Sequence, residues 1–141
     1  FNYGLILGWT SISGQIEIAP IVFYIGAIFW TLGYDTIYGF QDIKDDEIIG
    51  LKSTSIKFKG KSRLFLLICY LVLSSSLVVG GYLMKFNLIY FLLLLIPIAH
   101  LFIYQIKSFN NNNPDTCLRL FKSNNFFGFI ILTNILIGKL F

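Results

Sequence analysis

Charge is what this sequence has least of. Only 13% of its 141 residues are Asp, Glu, Lys or Arg, where a soluble domain averages about 25%. With 56% hydrophobic residues, 18% aromatic residues and a mean hydropathy of +0.75, the chain has more apolar surface than a soluble core of this size can bury. A membrane protein of about one domain is expected. Histidine is represented once, by His100. The two cysteines, Cys69 in an apolar run and Cys117 in a polar stretch, show neither zinc spacing nor a disulfide framework, which excludes a zinc module and a disulfide scaffold. The 11 basic and 7 acidic residues leave a net charge of +4. The basic residues lie between hydrophobic runs and form no stripe, which argues against a nucleic-acid partner. The chain starts on Phe, has no n-region before its first apolar stretch, and finishes in "ILIGKLF". That pattern predicts a piece of a longer protein.

Long apolar runs are what the sequence does have. A spanning helix needs about 20 predominantly apolar residues in succession, and five segments approach this: 1–16, 18–41, 64–84, 86–106 and 126–141. Continuous runs exclude a transmembrane barrel, whose strands alternate. The expected fold is therefore all-α, a polytopic transmembrane helical bundle in a lipid bilayer. Pro20 lies near the start of the second segment, where proline is tolerated. The Asn run at 110–113 followed by Pro114 reads as a polar loop. Lys44, Lys52, Lys57, Lys59, Lys61 and Arg63 follow the second segment, and Lys107, Arg119 and Lys122 follow the fourth. The connection after the third holds only Lys85, and the one after the first holds no basic residue. This asymmetry assigns the two long loops to the cytoplasmic side.

Five of the seven acids fall between Asp35 and Glu47, in "YDTIYGFQDIKDDEIIGLKST". If the second helix continues through residue 46, Asp35, Tyr38, Asp42 and Asp46 share one face, with Asp45 flanking Asp42. Such a helix would crowd carboxylates at its C-terminal end, against its dipole. Like charges one turn apart repel by a few tenths of a kcal/mol, and a carboxylate near the hydrocarbon costs about 2.5–3.5 kcal/mol. A cation would relieve all three. Hard oxygen donors without neighbouring His or Cys suit Mg²⁺ or Ca²⁺ rather than zinc, and no helix–loop–helix Ca²⁺ loop is present. Mg²⁺ binds one or two carboxylates, waters and substrate phosphates, and Lys52, Ser53 and Thr54 follow as candidate phosphate contacts. Spacing alone leaves a second reading open, a solvated interfacial loop of mixed charge.

The same residues carry a resemblance. "YDT" at 34–36, the Tyr38-xxx-Asp42-xxx-Asp46 spacing and "G-x-K-S-T" at 50–54 resemble the second aspartate-rich motif of the UbiA superfamily of intramembrane aromatic prenyltransferases, in the branch acting on 4-hydroxybenzoate. "GW" at 8–9, "H-L-x-x-x-Q" at 100–105 and "CLRLFKSNN" at 117–125 support it. The resemblance implies a Mg²⁺-dependent enzyme that transfers a polyprenyl group from polyprenyl diphosphate to the ring carbon ortho to the hydroxyl of 4-hydroxybenzoate, in ubiquinone biosynthesis. It implies Asp42 and Asp46 as metal ligands, with Asp45 as an alternate or supporting one. Lys52 is implied at the diphosphate, and Asp35 and Tyr38 at the reacting substrates. His100 and Gln105 read as helix-packing polar groups, and Lys57, Lys59, Lys61 and Arg63 as topological charges. The family's first Asp-rich motif is not in this sequence, so the chain is expected to be the C-terminal portion of the domain and inactive alone. A bacterial inner membrane is the expected location, or the mitochondrial inner membrane for a eukaryotic source. The alternatives are a haem, menaquinone or chlorophyll branch of the superfamily, a transporter, and a structural membrane subunit.

Overall fold

The computed structural model describes residues 2–140, and it is helical throughout. Helix α1 is Tyr3–Ser13, α2 is Ile18–Gly39, α3 is Ile43–Ile49 and α4 is Thr54–Lys57. A 3₁₀ turn, Lys59–Lys61, leads into α5, Ser62–Leu83. Helix α6, Leu88–Ala99, runs through a π-helical turn, His100–Gln105, into α7, Ile106–Ser108, and α8 is Pro114–Leu140. Four helical stretches are long and apolar enough to cross a membrane: Ile18–Gly39, Lys59–Leu83, Leu88–Ser108 and Pro114–Leu140. The chain is a polytopic membrane helical bundle, as its composition requires. The first expected segment yields only α1, whose 11 residues fall short of the roughly 17–25 a span needs.

Two boundaries differ from expectation. The second helix stops at Gly39 instead of running through residue 46. Phe40 and Ile43 are buried, and Phe40 sets its ring edge-on against Phe109 at 5.5 Å. Burying both side chains turns the backbone away from the α2 axis. The last helix begins at Pro114, not 126, so "CLRLFKSNN" is helical rather than a loop. Asn113 caps it, its Oδ1 accepting from the Thr116 N–H at 3.0 Å. Proline suits a first helical position because its missing N–H is unpaired there anyway.

Helix α2 packs against α5 so closely that a Cβ on Gly26 would lie 1.8 Å from Ser76 Oγ. Small residues at such crossings let backbones approach, and interhelical hydrogen bonds add to the packing. Tyr90 on α6 donates to the Leu77 carbonyl on α5 at 2.9 Å, and Asn134 on α8 donates to the Tyr90 carbonyl at 3.1 Å. A polar network crosses the bundle nearer the loop face. Tyr70 donates to Gln105 Oε1, Gln105 Nε2 donates to Asn124 Oδ1 at 3.2 Å, and Trp30 Nε1 donates to the same oxygen at 2.9 Å. His100 Nε2 lies 3.3 Å from both Ser123 Oγ and Gln105 Nε2. His100 and Gln105, five apart, meet because the π turn follows Pro97, which cannot donate the backbone bond an α-helix needs.

The candidate active site at the loop face

Residues 40–61 and 109–113 lie at one end of the bundle; residues 14–17 and 84–87 lie at the other. The acid-rich stretch is at the first of these ends. Asp35 and Tyr38 are three apart on the last turns of α2, and both are exposed, so they share the face expected of them. Asp42 follows the break as the N-cap residue of α3, its carbonyl accepting from the Asp46 N–H at 3.0 Å. Asp45 and Asp46 occupy the first turn of α3. The single carboxylate face running from Asp35 to Asp46 is thereby corrected. The acids divide between the C-terminal end of α2 and the N-terminal end of α3, where the helix dipole favours negative charge.

The "G-x-K-S-T" stretch is positioned by two devices. Gly50 takes the left-handed conformation, φ 77°, and ends α3, its N–H bonding back to Asp46 and Glu47, a common way to close a helix. Thr54 then sets its hydroxyl 2.7 Å from that of Thr36, which itself donates to the Leu32 carbonyl at 2.6 Å. Ser53 accepts from the Ile56 N–H at 3.4 Å and lies 2.8 Å from the Ser55 hydroxyl. Thr54 therefore anchors the loop to α2, Ser53 caps α4, and both hydroxyls already have partners within the fold. Lys52, just before them, is exposed.

Sequence reading missed an aromatic wall. Trp30, Tyr34 and Tyr38 recur every four residues on α2. Phe121 of α8 stands 4.7 Å from the Tyr38 ring and 5.8 Å from Tyr34, and Trp30 packs on Phe127 at 5.2 Å. The spacing on α2 was visible in the sequence; its partner Phe121 was not, because that stretch read as a loop. Below the wall lies an apolar cavity of about 690 Å³, lined by Trp9, Phe23, Trp30, Leu73, Phe127 and Ile131. Trp30 joins wall to cavity about 12 Å below Tyr38, from a rise of about 1.5 Å per residue.

The donor chemistry suits a hard divalent cation. Asp42 and Asp46, one turn apart, make no ion pair, the Lys59–Glu47 contact at 2.7 Å being the only one among the described residues. Gln41 Oε1, one residue before Asp42, is buried without a hydrogen-bond partner, a cost of about 1–3 kcal/mol unless something outside the described residues meets it. Among those residues no group of three or more His, Cys, Asp or Glu side chains is placed to hold a metal ion. Asp42 and Asp46 therefore do not by themselves make up a metal site among the described residues.

Residues 1–131 match the profile of the UbiA prenyltransferase family. The chain belongs to that family. It is similar to the mitochondrial 4-hydroxybenzoate polyprenyltransferase of Dictyostelium discoideum, 38% identical over 99% of this chain and 30% of the relative. It is 36% identical to 4-hydroxybenzoate geranyltransferase 2 of Lithospermum erythrorhizon, over 99% of this chain and 46% of the relative. It is 31% identical to the 4-hydroxybenzoate octaprenyltransferase of Tolumonas auensis, over 98% of this chain and 48% of the relative. The chain therefore spans between 30% and 48% of the length of these relatives. No solved structure matches it.

Proposed function

We propose that residues 1–141 are the C-terminal portion of one transmembrane prenyltransferase domain. The whole protein moves a polyprenyl group from polyprenyl diphosphate to the ring carbon ortho to the hydroxyl of 4-hydroxybenzoate, in ubiquinone biosynthesis. The observation that carries this reading is the placement of exposed Asp42 and half-buried Asp46, both free of ion pairs among the described residues, at the same end as Tyr38, with an apolar cavity beneath. The names of the relatives supply the acceptor.

The allylic C–O bond breaks and the diphosphate departs with the electron pair. The ring carbon of the acceptor attacks the allylic cation, and the same carbon then loses its proton to restore aromaticity. Asp42 and Asp46 would hold Mg²⁺, with Asp45 beside them. The ion supplies positive charge where negative charge grows on the leaving group. Lys52 adds a cation at the diphosphate. Tyr38 and the aromatic wall present π faces to the developing cation, an attraction of about 0.5–2 kcal/mol. Asp35 orients the acceptor from the neighbouring turn. The apolar cavity accommodates the isoprenoid chain and keeps water from the cation. The basic loops lie on the cytoplasmic side of a bacterial inner membrane, or on the matrix side in a mitochondrion.

The test is prenyl transfer by the full-length protein in membranes, with radiolabelled 4-hydroxybenzoate, polyprenyl diphosphate and Mg²⁺. Asp42→Asn and Asp46→Asn are each expected to abolish lipid-soluble product at unchanged expression, and residues 1–141 alone are expected to give none. Turnover surviving both substitutions would return the acids to a solvated loop.

A further inference from the structure

The loop face carries a second polar feature, where residues 109–111 fold against the start of α5. Together with residues 59–64 they enclose a cavity of about 440 Å³. None of Asp35, Tyr38, Asp42, Asp46 and Lys52 lines it. Three cations do: Lys59, Lys61 and Arg63. Lys59 is paired with Glu47, whereas Lys61 and Arg63 have no carboxylate partner among the described residues. Arg63 donates from Nη2 to the Phe109 carbonyl at 3.0 Å, which holds the guanidinium in place and leaves other N–H donors available.

Ser62 lies between these two cations. It is the first residue of a 22-residue helix, whose dipole favours an anion near its start. Ser62 is only 6% exposed, it lines the cavity, and its hydroxyl makes no hydrogen bond among the described residues. The hydroxyl is therefore open to a ligand in the cavity. Leu64 lines the same cavity. Below it, Leu64, Ile68 and Leu71, at 54%, 47% and 55% exposure, form an outward stripe four and then three residues apart on the spanning helix.

A cation-rich cavity at the membrane surface, opening onto an apolar stripe directed along the helix, has the two-part chemistry of a phospholipid. Basic pockets at this depth suit anionic headgroups. We infer that the cavity seats the phosphate of an anionic phospholipid from the loop-side leaflet. Lys61, Arg63, Ser62 and the first turn of α5 hold the phosphate, and the acyl chains lie along Leu64, Ile68 and Leu71. Free inorganic phosphate would satisfy the charges and leave the stripe uncovered. The inference does not depend on the prenyl-transfer reading.

The test is native mass spectrometry of the full-length protein in detergent, supplemented with phosphatidylglycerol or phosphatidylcholine. Wild type is expected to retain phosphatidylglycerol preferentially. The Lys61→Gln, Arg63→Gln double substitution is expected to lower that preference by roughly ten- to thirtyfold. Because Arg63 also ties down the Phe109 loop, Lys61→Gln alone, with thermal unfolding unchanged, is expected to lower it in the same direction. Equal retention of both lipids by wild type would overturn the inference, as would a phosphatidylglycerol preference that neither variant changes. Loss of the lipid on adding millimolar inorganic phosphate would reassign the cavity to a free anion and overturn the lipid as its occupant.

Discussion

Thr36 and Thr54 are 18 residues apart in sequence, and their hydroxyls meet at 2.7 Å. That pair is how the last turns of α2 hold the loop bearing Lys52. Thr36→Val keeps the shape of the side chain and orphans its partner, so unfolding is expected to cost about 1–3 kcal/mol less. A thermal melt of the purified full-length protein reads the loss, and prenyl transfer should fall with it because Lys52 is less well positioned. Tyr38 separates ring from hydroxyl. It packs on Phe121 and its exposed ring is the part proposed to act, so Tyr38→Phe should retain most turnover. Tyr38→Leu should lose roughly 2- to 30-fold in kcat, the equivalent of about 0.5–2 kcal/mol of cation–π attraction. The reverse order would assign the role to the hydroxyl. The acids stood out in the sequence because carboxylates are few in this apolar chain, and Tyr38 and Lys52 stood out by their spacing to them. Ser53 and Thr54, candidate phosphate contacts in the sequence, already have hydroxyl partners within the fold, which the sequence could not show, since a hydroxyl in a loop reads the same whether its partner is a ligand or the protein.

At the scale of elements, apolar length marked the helices and failed at their ends. The π turn was not legible at all, although Pro97 within the apolar run signalled that the backbone bonding would change there. The break after Gly39 depends on the burial of Phe40 and Ile43, which hydropathy does not distinguish from continued helix. Its consequence is electrostatic: Asp45 and Asp46 stand in a favourable first turn rather than crowding an unfavourable last one. Gly50 makes the return from α3 to the Lys52 loop possible. Its φ is 77°, and a Cβ placed there would meet open space. Gly50→Ala therefore meets no clash and bears only the left-handed backbone cost, about 1–2 kcal/mol. A denaturation midpoint shifted by that amount is the expected result, and an unchanged midpoint would mean that α3 can end another way.

At the scale of the whole molecule, the four spans set residues 40–61 and 109–113 at one membrane face and residues 84–87 at the other. Cys69 and Cys117 are free and buried, so neither competes with an introduced surface thiol. Lys52→Cys and Asn112→Cys are expected to react with an impermeant maleimide from the same side of sealed vesicles, and Lys85→Cys only from the opposite side. All three positions are exposed. Labelling of Lys85→Cys together with Lys52→Cys would contradict the arrangement of spans.

Composition, apolar run length and the placement of Lys and Arg are properties of consecutive residues. They were enough to determine a helical membrane protein with its acids gathered near the end of a span. The spacing around those acids was enough for the family resemblance. Contacts between distant residues had to come from the folded bundle. Trp30 and Asn124, 94 residues apart, join α2 to α8, and Tyr38 gains its ring partner from the same helix. Which carboxylates share a helix end, which hydroxyls are already bonded and where a cavity opens all depend on how helices pack, and no local stretch of sequence encodes that.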